Sequence, residues 1–200
     1  MPKIALRHIL KEDILTVQPD NHSVMLTEPN NSNRPQTLKE VEIIDIPDDT
    51  LILCVDKMSS PLFREHSICT CHAIKKYRKN CDYIIITNFE GINYIVYIEM
   101  KTSPREQKHI PQLWCGRSFI EYLSFAMEKI EDILPLSSFT HRFVKFCTIP
   151  EDKDSTDNHD EYKLSNQPKE LNDLPGKAYP YYVTAGVPVP LKDLIYEYNH

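Results

Sequence analysis

Three residues in this 200-residue chain combine the types and spacing that metal-assisted hydrolysis needs: Asp82, Glu99 and Lys101. Glu99 and Lys101 stand two apart in the apolar run YIVYIEMK, so on a strand both side chains point to one face. Asp82 opens a second apolar run, DYIIIT. Between the two runs, Asn88-Phe89-Glu90-Gly91 reads as a hairpin turn, with Gly91 where a positive φ is expected. With the turn centred there, position 82 falls opposite about 98 or 99, which brings both carboxylates within reach of one cation. Such a set is costly if buried without partners. A divalent cation relieves the like-charge repulsion, and Mg²⁺ (or Mn²⁺) favours one or two carboxylates, a backbone carbonyl and several waters. The plainer alternative is an exposed ladder of surface ions at a sheet edge, worth under about 1 kcal/mol.

The elements that must position these residues follow from the hydrophobic pattern. VEIIDI and LILCVDK are β-branched runs split by PDDT and read as one hairpin, and HSICTCHAI reads as a further strand closed by the basic turn KKYRKN. The two runs flanking Gly91 are nearly continuous in apolar residues, so both strands are expected to be covered on both faces. Leu113, Trp114, Ile120, Leu123, Met127, Ile130 and Leu134 recur at helical spacings and predict one long helix ended by Pro135. Arg142–Ile149 predicts another strand, and the closing run YYVTAGVPVPLKDLIYEY a last strand and a helical turn. The fold class is therefore α/β, a mixed central β-sheet with flanking helices. Residues 1–40 read as a polar extension of loops and an edge element outside the core, and 41–149 as the core. Residues 150–178 read as a polar surface insertion, and 179–200 as the strand and helix that complete the core.

Asp82, an apolar strand, then Glu99-Met100-Lys101 and a helix resembles the pattern of the PD-(D/E)xK nuclease superfamily. CDYIII and YIVYIEMK followed by QLW look like the members that read CDY, ELK and QL. The resemblance spans roughly residues 66–149 and implies a restriction-endonuclease-like core. By it, Asp82 and Glu99 would ligate Mg²⁺ or Mn²⁺, the Met100 carbonyl would add a ligand, and Lys101 would orient or deprotonate the attacking water. Gln112, at the start of the helix, would assist. This chain departs from the pattern at Cys81, where the family name places Pro, at Thr102, where Gly often follows, and at Gly116, where a Tyr would complete the helix motif. Glu65 is the nearest candidate for an acidic residue before the sheet.

Composition narrows the rest. Four glycines against fifteen prolines argue against Gly-rich phosphate loops, and six irregularly spaced cysteines do not form a disulfide framework. The net charge of −6 is unlike a protein that holds nucleic acid by bulk charge. A local basic rim from Lys75, Lys76, Arg78, Lys79, Lys108, His109 and Arg117 would have to supply it. Cys69, Cys71, His72 and Cys81 lack the paired spacing of a zinc knuckle and read as core cysteines. Trp114, Phe119, Tyr122 and Phe125 read as core aromatics rather than a base-stacking platform. The absence of a long apolar run or signal segment reads as a soluble, cytoplasmic protein without a membrane role. The expected function is a metal-dependent nuclease acting on DNA, with a place in defence against foreign nucleic acid implied by the resemblance alone. A partner protein or a homo-oligomer is compatible with that reading. The rival is a non-catalytic protein-interaction module that keeps the nuclease-like fold.

Overall fold

The computed structural model describes residues 15–16, 22–28, 38–55, 81–101, 109–131, 136–148, 179–184 and 186–195. Among the described residues, nine strands and two helices run in the order β1 (Leu15–Thr16), β2 (Val24–Thr27), β3 (Glu40–Ile44), β4 (Leu51–Cys54), β5 (Tyr83–Phe89), β6 (Ile92–Lys101), α1 (His109–Glu131), β7 (Thr140–Thr148), β8 (Tyr179–Val183), β9 (Val189–Pro190) and α2 (Lys192–Ile195). A short 3-10 turn, Leu136–Ser138, precedes β7. The main sheet has six strands in the order β1-β4-β5-β6-β7-β8, and a second sheet has three in the order β2-β3-β9. The fold is mixed α/β.

β4, β5 and β6 form an antiparallel meander, whereas β7 and β8 lie parallel to β6. A parallel neighbour needs a crossover connection, and α1 supplies it between β6 and β7. The β5–β6 turn is the tightest local determinant. Glu90 and Gly91 both have positive φ, 49° and 83°, as a two-residue hairpin loop of the type whose twist matches its strands. That turn pairs Tyr83 with Ile98, Ile85 with Val96 and Thr87 with Tyr94.

Alternation along the central strands sends side chains to two separate apolar clusters. One face of the main sheet (Tyr83, Ile85, Val96, Ile98, Met100, Val144, Phe146) packs against the three-stranded sheet and α2. The other face (Ile84, Ile86, Ile95, Tyr97, Phe143) packs against Leu113, Phe119, Ile120, Leu123 and Met127 of α1. Both faces of β5 and β6 are covered, as their continuous apolar text requires. The Tyr83 hydroxyl ties the layers together, donating to the Thr27 carbonyl at 2.6 Å and accepting from the Thr27 amide at 3.1 Å.

Three expectations change. The runs VEIIDI and LILCVDK do not pair with each other: β3 belongs to the three-stranded sheet and β4 to the six-stranded one. Asp45, with φ of 60°, and the turn closed by the Thr50 amide on the Pro47 carbonyl carry the chain from one layer to the other. Hydrophobic runs of equal quality can face the same core from opposite sides, and the text between them does not say which. Second, the polar N-terminal region is not all peripheral, because Val24, Leu26 and Leu38 are buried in the inter-sheet core. Third, the last segment contributes two strands, β8 to the main sheet and β9 parallel to β3 in the other. Residues 132–135, 150–178 and the strand expected around Cys69 lie outside the described residues.

Helix α1 presses closest to the sheet at Gly116. A Cβ placed there would meet the Cys81 Sγ at 2.5 Å and the Tyr97 ring at 3.3 Å. The absence of a side chain is what lets the helix lie down on that face. In the middle of most helices Gly→Ala stabilises by up to about 1 kcal/mol. Here Gly116→Ala is expected to destabilise by about 1–3 kcal/mol through overpacking. The penalty should largely vanish in a Cys81→Ala background, as urea denaturation of the four forms would measure.

Candidate functional site

The site is built at the carboxyl-terminal ends of β6 and β7, under the first turns of α1. The β5–β6 ladder begins at the Tyr83–Ile98 pair, and Asp82, in the bend just before it, is bonded to the Ile98–Met100 end of β6. Asp82 is anchored by its backbone on both sides: its amide donates to the Ile98 carbonyl at 3.0 Å, and its carbonyl accepts from the Val55 amide at 3.0 Å. Its carboxylate reaches across the end of the hairpin, where Oδ2 accepts a short hydrogen bond from the Met100 amide at 2.6 Å. In an extended strand the amide and carbonyl of one residue face the same neighbour, so the Met100 carbonyl is directed toward the Asp82 side as well.

Both carboxylates are deep. Asp82 is 6% exposed and Glu99 0%, with both Glu99 oxygens closed to solvent. Glu99, two along β6 from Tyr97, shares with it the helix-covered face, where Cys81 also packs. The Cys81 thiol is held well above its ordinary range first by burial, then by the negative charge of Glu99 and of Asp82. One sulfur therefore feels both carboxylates. Burial removes the exposed-ladder alternative, since neither acid is a surface ion.

Lys101 closes β6 opposite Cys147, and its side chain lies outside the described residues. Gln112 is buried in the first turn of α1, one turn before Gly116, so the two share the sheet-facing side of the helix. Glu65, Cys69, Cys71, His72, Lys75, Lys76, Arg78, Lys79 and Lys108, and the side chain of His109, lie outside the described residues. Of the expected basic rim, Arg117 is described. It pairs with Glu121 at 2.9 Å and lies 5.6 Å from the Trp114 ring centre. Cys81 is buried against Gly116, as the core-cysteine reading expects.

Two findings change the picture drawn from sequence. Trp114, Tyr122 and Phe125 are not core; they are 44%, 68% and 62% exposed, and of the four aromatics only Phe119 is buried. The cause is helical phase. Leu113, Gly116, Ile120, Leu123 and Met127 define the sheet-facing stripe, and positions 114, 122 and 125 fall on the opposite side. The other is Lys145, which sequence reading passed over. It lies on β7 in register with Glu99 and is only 3% exposed. The signal was present in RFVKFCTI: one lysine among residues that alternate into two apolar layers, flanked on both sides by large buried aromatics.

Lys145 acts on its surroundings. Burial pushes the neighbouring Cys147 thiol up to about 11, and the positive charge of Lys145 partly opposes the rise. Farther along the same face, the Tyr97 hydroxyl meets His141 Nδ1 at 2.9 Å, and the Tyr97 ring stacks on Phe143 at 4.6 Å between centroids. Burial and the Arg117 charge hold the His141 imidazole below its usual range, which favours the neutral ring at pH 7.

A divalent ion of the Mg²⁺ type fits these donors. Two buried carboxylates near the end of β6, with the Met100 carbonyl directed to the Asp82 side, are of the donor type that ion takes, few carboxylates completed by water. A site built from three or more His, Cys, Asp or Glu side chains is not present among the described residues. No helix among them is long and apolar enough to cross a membrane. No protein-family model, curated protein or solved structure matches the chain.

The Cys147 thiol gives a pH test of this end of the sheet. The unfolded chain loses its thiol proton near 9, whereas the folded form keeps it to about 11. The native state then binds more protons in that interval, so its stability falls as pH rises from 9 toward 11. Cys147→Ala is expected to make that decline shallower in denaturant titrations at pH 8, 9.5 and 11.

Proposed function

We propose that the chain is a metal-dependent phosphodiesterase of the PD-(D/E)xK nuclease type, acting on DNA. The observation that carries this reading is the convergence of Asp82 and Glu99 at the end of one hairpin, with the Asp82 carboxylate bound to the amide of Met100. The supporting context is the topology. An antiparallel meander, a crossover helix and a parallel strand are the arrangement that a restriction-endonuclease-like core requires.

In this mechanism Asp82, Glu99 and the Met100 carbonyl would hold Mg²⁺ or Mn²⁺. The ion supplies Lewis-acid polarisation of the scissile phosphate and a lowered pKa for a bound water. The chain's own residues do the remainder. The Asp82–Met100 hydrogen bond fixes the carboxylate before the ion arrives, so no reorganisation is needed at the moment of reaction. The hydrophobic cover from α1 and Cys81 lowers the local polarity and strengthens each charge interaction. By the family resemblance, Lys101 would stabilise the anionic transition state as a point charge. Gln112, on the helix face above the strand ends, positions substrate or water. A role in defence against foreign DNA follows from the family resemblance alone.

A second reading has its own observation. Lys145 stands opposite Glu99 in the buried sheet, so the site carries a cation of its own. A self-neutralised charge cluster is what a non-catalytic interaction module that has kept the fold would show.

Cleavage of plasmid, single-stranded DNA and RNA with Mg²⁺ or Mn²⁺ separates the two. EDTA, Asp82→Ala and Lys101→Ala are each expected to lower DNA cleavage by at least about a hundredfold. Cleavage that survives both substitutions would rule out this site. A protein that neither cleaves nor binds Mn²⁺ by calorimetry would be the interaction module.

A further inference from the structure

Lys145 is the buried charge that the nuclease reading does not use. It occupies the middle of β7, where Phe143, Val144, Phe146 and Cys147 are all buried with it. β7 is parallel to β6, and its register sets Lys145 beside Glu99, one strand spacing away at about 5 Å. Residues paired in this way share a face, here the one covered by α1. Its charge is felt at Cys147, whose thiol it lowers against the effect of burial. An ammonium in such surroundings is costly unless a carboxylate compensates it, and removing one member of a buried pair leaves the other exposed to the full penalty.

We infer that Lys145 is the resident cation of the carboxylate site: it balances Glu99 when no metal is bound and competes with a divalent cation for that carboxylate. The inference rests on the reading of Asp82 and Glu99 as a divalent-cation site, and goes beyond it by assigning Lys145 the setting of metal affinity. Lys145 is a positioning residue in this scheme and does not touch the reacting phosphate. Its charge lets the sheet fold around two buried carboxylates without an ion. It also holds metal affinity below what the same carboxylates would reach alone. Arrival of the ion then shifts Lys145 away from Glu99, so metal occupancy is coupled to the packing of β6 on β7.

The test is Mn²⁺ titration by calorimetry on the full chain, with thermal melts in the presence and absence of Mn²⁺, for wild type, Lys145→Met and Lys145→Arg. Lys145→Met keeps the length of the side chain and removes its charge. It is expected to melt lower than wild type without metal and to bind Mn²⁺ at least about tenfold more tightly, since one nearby positive charge is gone. Mn²⁺ should raise its melting temperature more than it raises that of wild type. Lys145→Arg keeps the charge and should bind Mn²⁺ as wild type does. If Lys145→Met does not fold without metal, refolding on addition of Mn²⁺ is the same result in another form. Failure to refold at Mn²⁺ concentrations that saturate wild type would overturn the inference. Mn²⁺ binding by wild type, with equal or weaker binding by a folded Lys145→Met, would overturn it while leaving the metal site standing. No Mn²⁺ binding by wild type or either variant would overturn the metal site, and this inference with it.

Discussion

The register of the β5–β6 hairpin is the constraint on which the site depends. A two-residue turn with positive φ at both Glu90 and Gly91 allows one pairing, and that pairing runs to Tyr83 and Ile98 and brings Asp82 beside the end of β6 that carries Glu99. A slip of one residue would invert every side chain on β5 relative to the two cores. It would move Tyr83 and Ile85 out of the layer that faces the three-stranded sheet, away from Val96, Ile98 and Met100 of β6. The apolar cores on both faces therefore hold the carboxylates in place as strictly as any direct contact to them. The short hydrogen bond from the Met100 amide to Asp82 is the local expression of that register, since it forms only when the end of β6 lies against the start of β5.

A second constraint is electrostatic. Two carboxylates inside a sheet demand positive charge, and the chain answers with Lys145 on the adjacent parallel strand. Parallel pairing of β7 with β6 is in turn a product of the α1 crossover, and α1 approaches closely enough only because residue 116 has no side chain. Cys81 lies at the centre of this arrangement, with its sulfur against Gly116 and its thiol raised by both acids. Glycine at position 116 has a packing reason: a side chain at that point would enter the space held by Cys81 and Tyr97.

What could be read before the structure was the part that depends on local periodicity. The two runs around Gly91, their register to within one residue, the long helix and the strand that follows it all rest on turn chemistry and alternation that act over a few residues. The assignment of VEIIDI and LILCVDK to different sheets rests on which layer each run faces, and a strand buried from either side looks the same in sequence. Trp114, Tyr122 and Phe125 read as core by residue type, whereas helical phase decides their exposure. Counting them against Leu113, Ile120 and Leu123 would have put them outside. Lys145 was missed for a related reason. Its significance comes from a neighbour forty-six positions earlier in the chain, and only the parallel pairing with Glu99 reveals it.

The most direct measurement is an anomalous diffraction map from crystals of the full chain equilibrated with Mn²⁺. The account expects a single strong peak bounded by Asp82, Glu99 and the Met100 carbonyl, with metal–oxygen distances of about 2.1 Å. A fully occupied peak elsewhere, or none at saturating Mn²⁺ with the carboxylates still packed against Cys81 and Lys145, would contradict it.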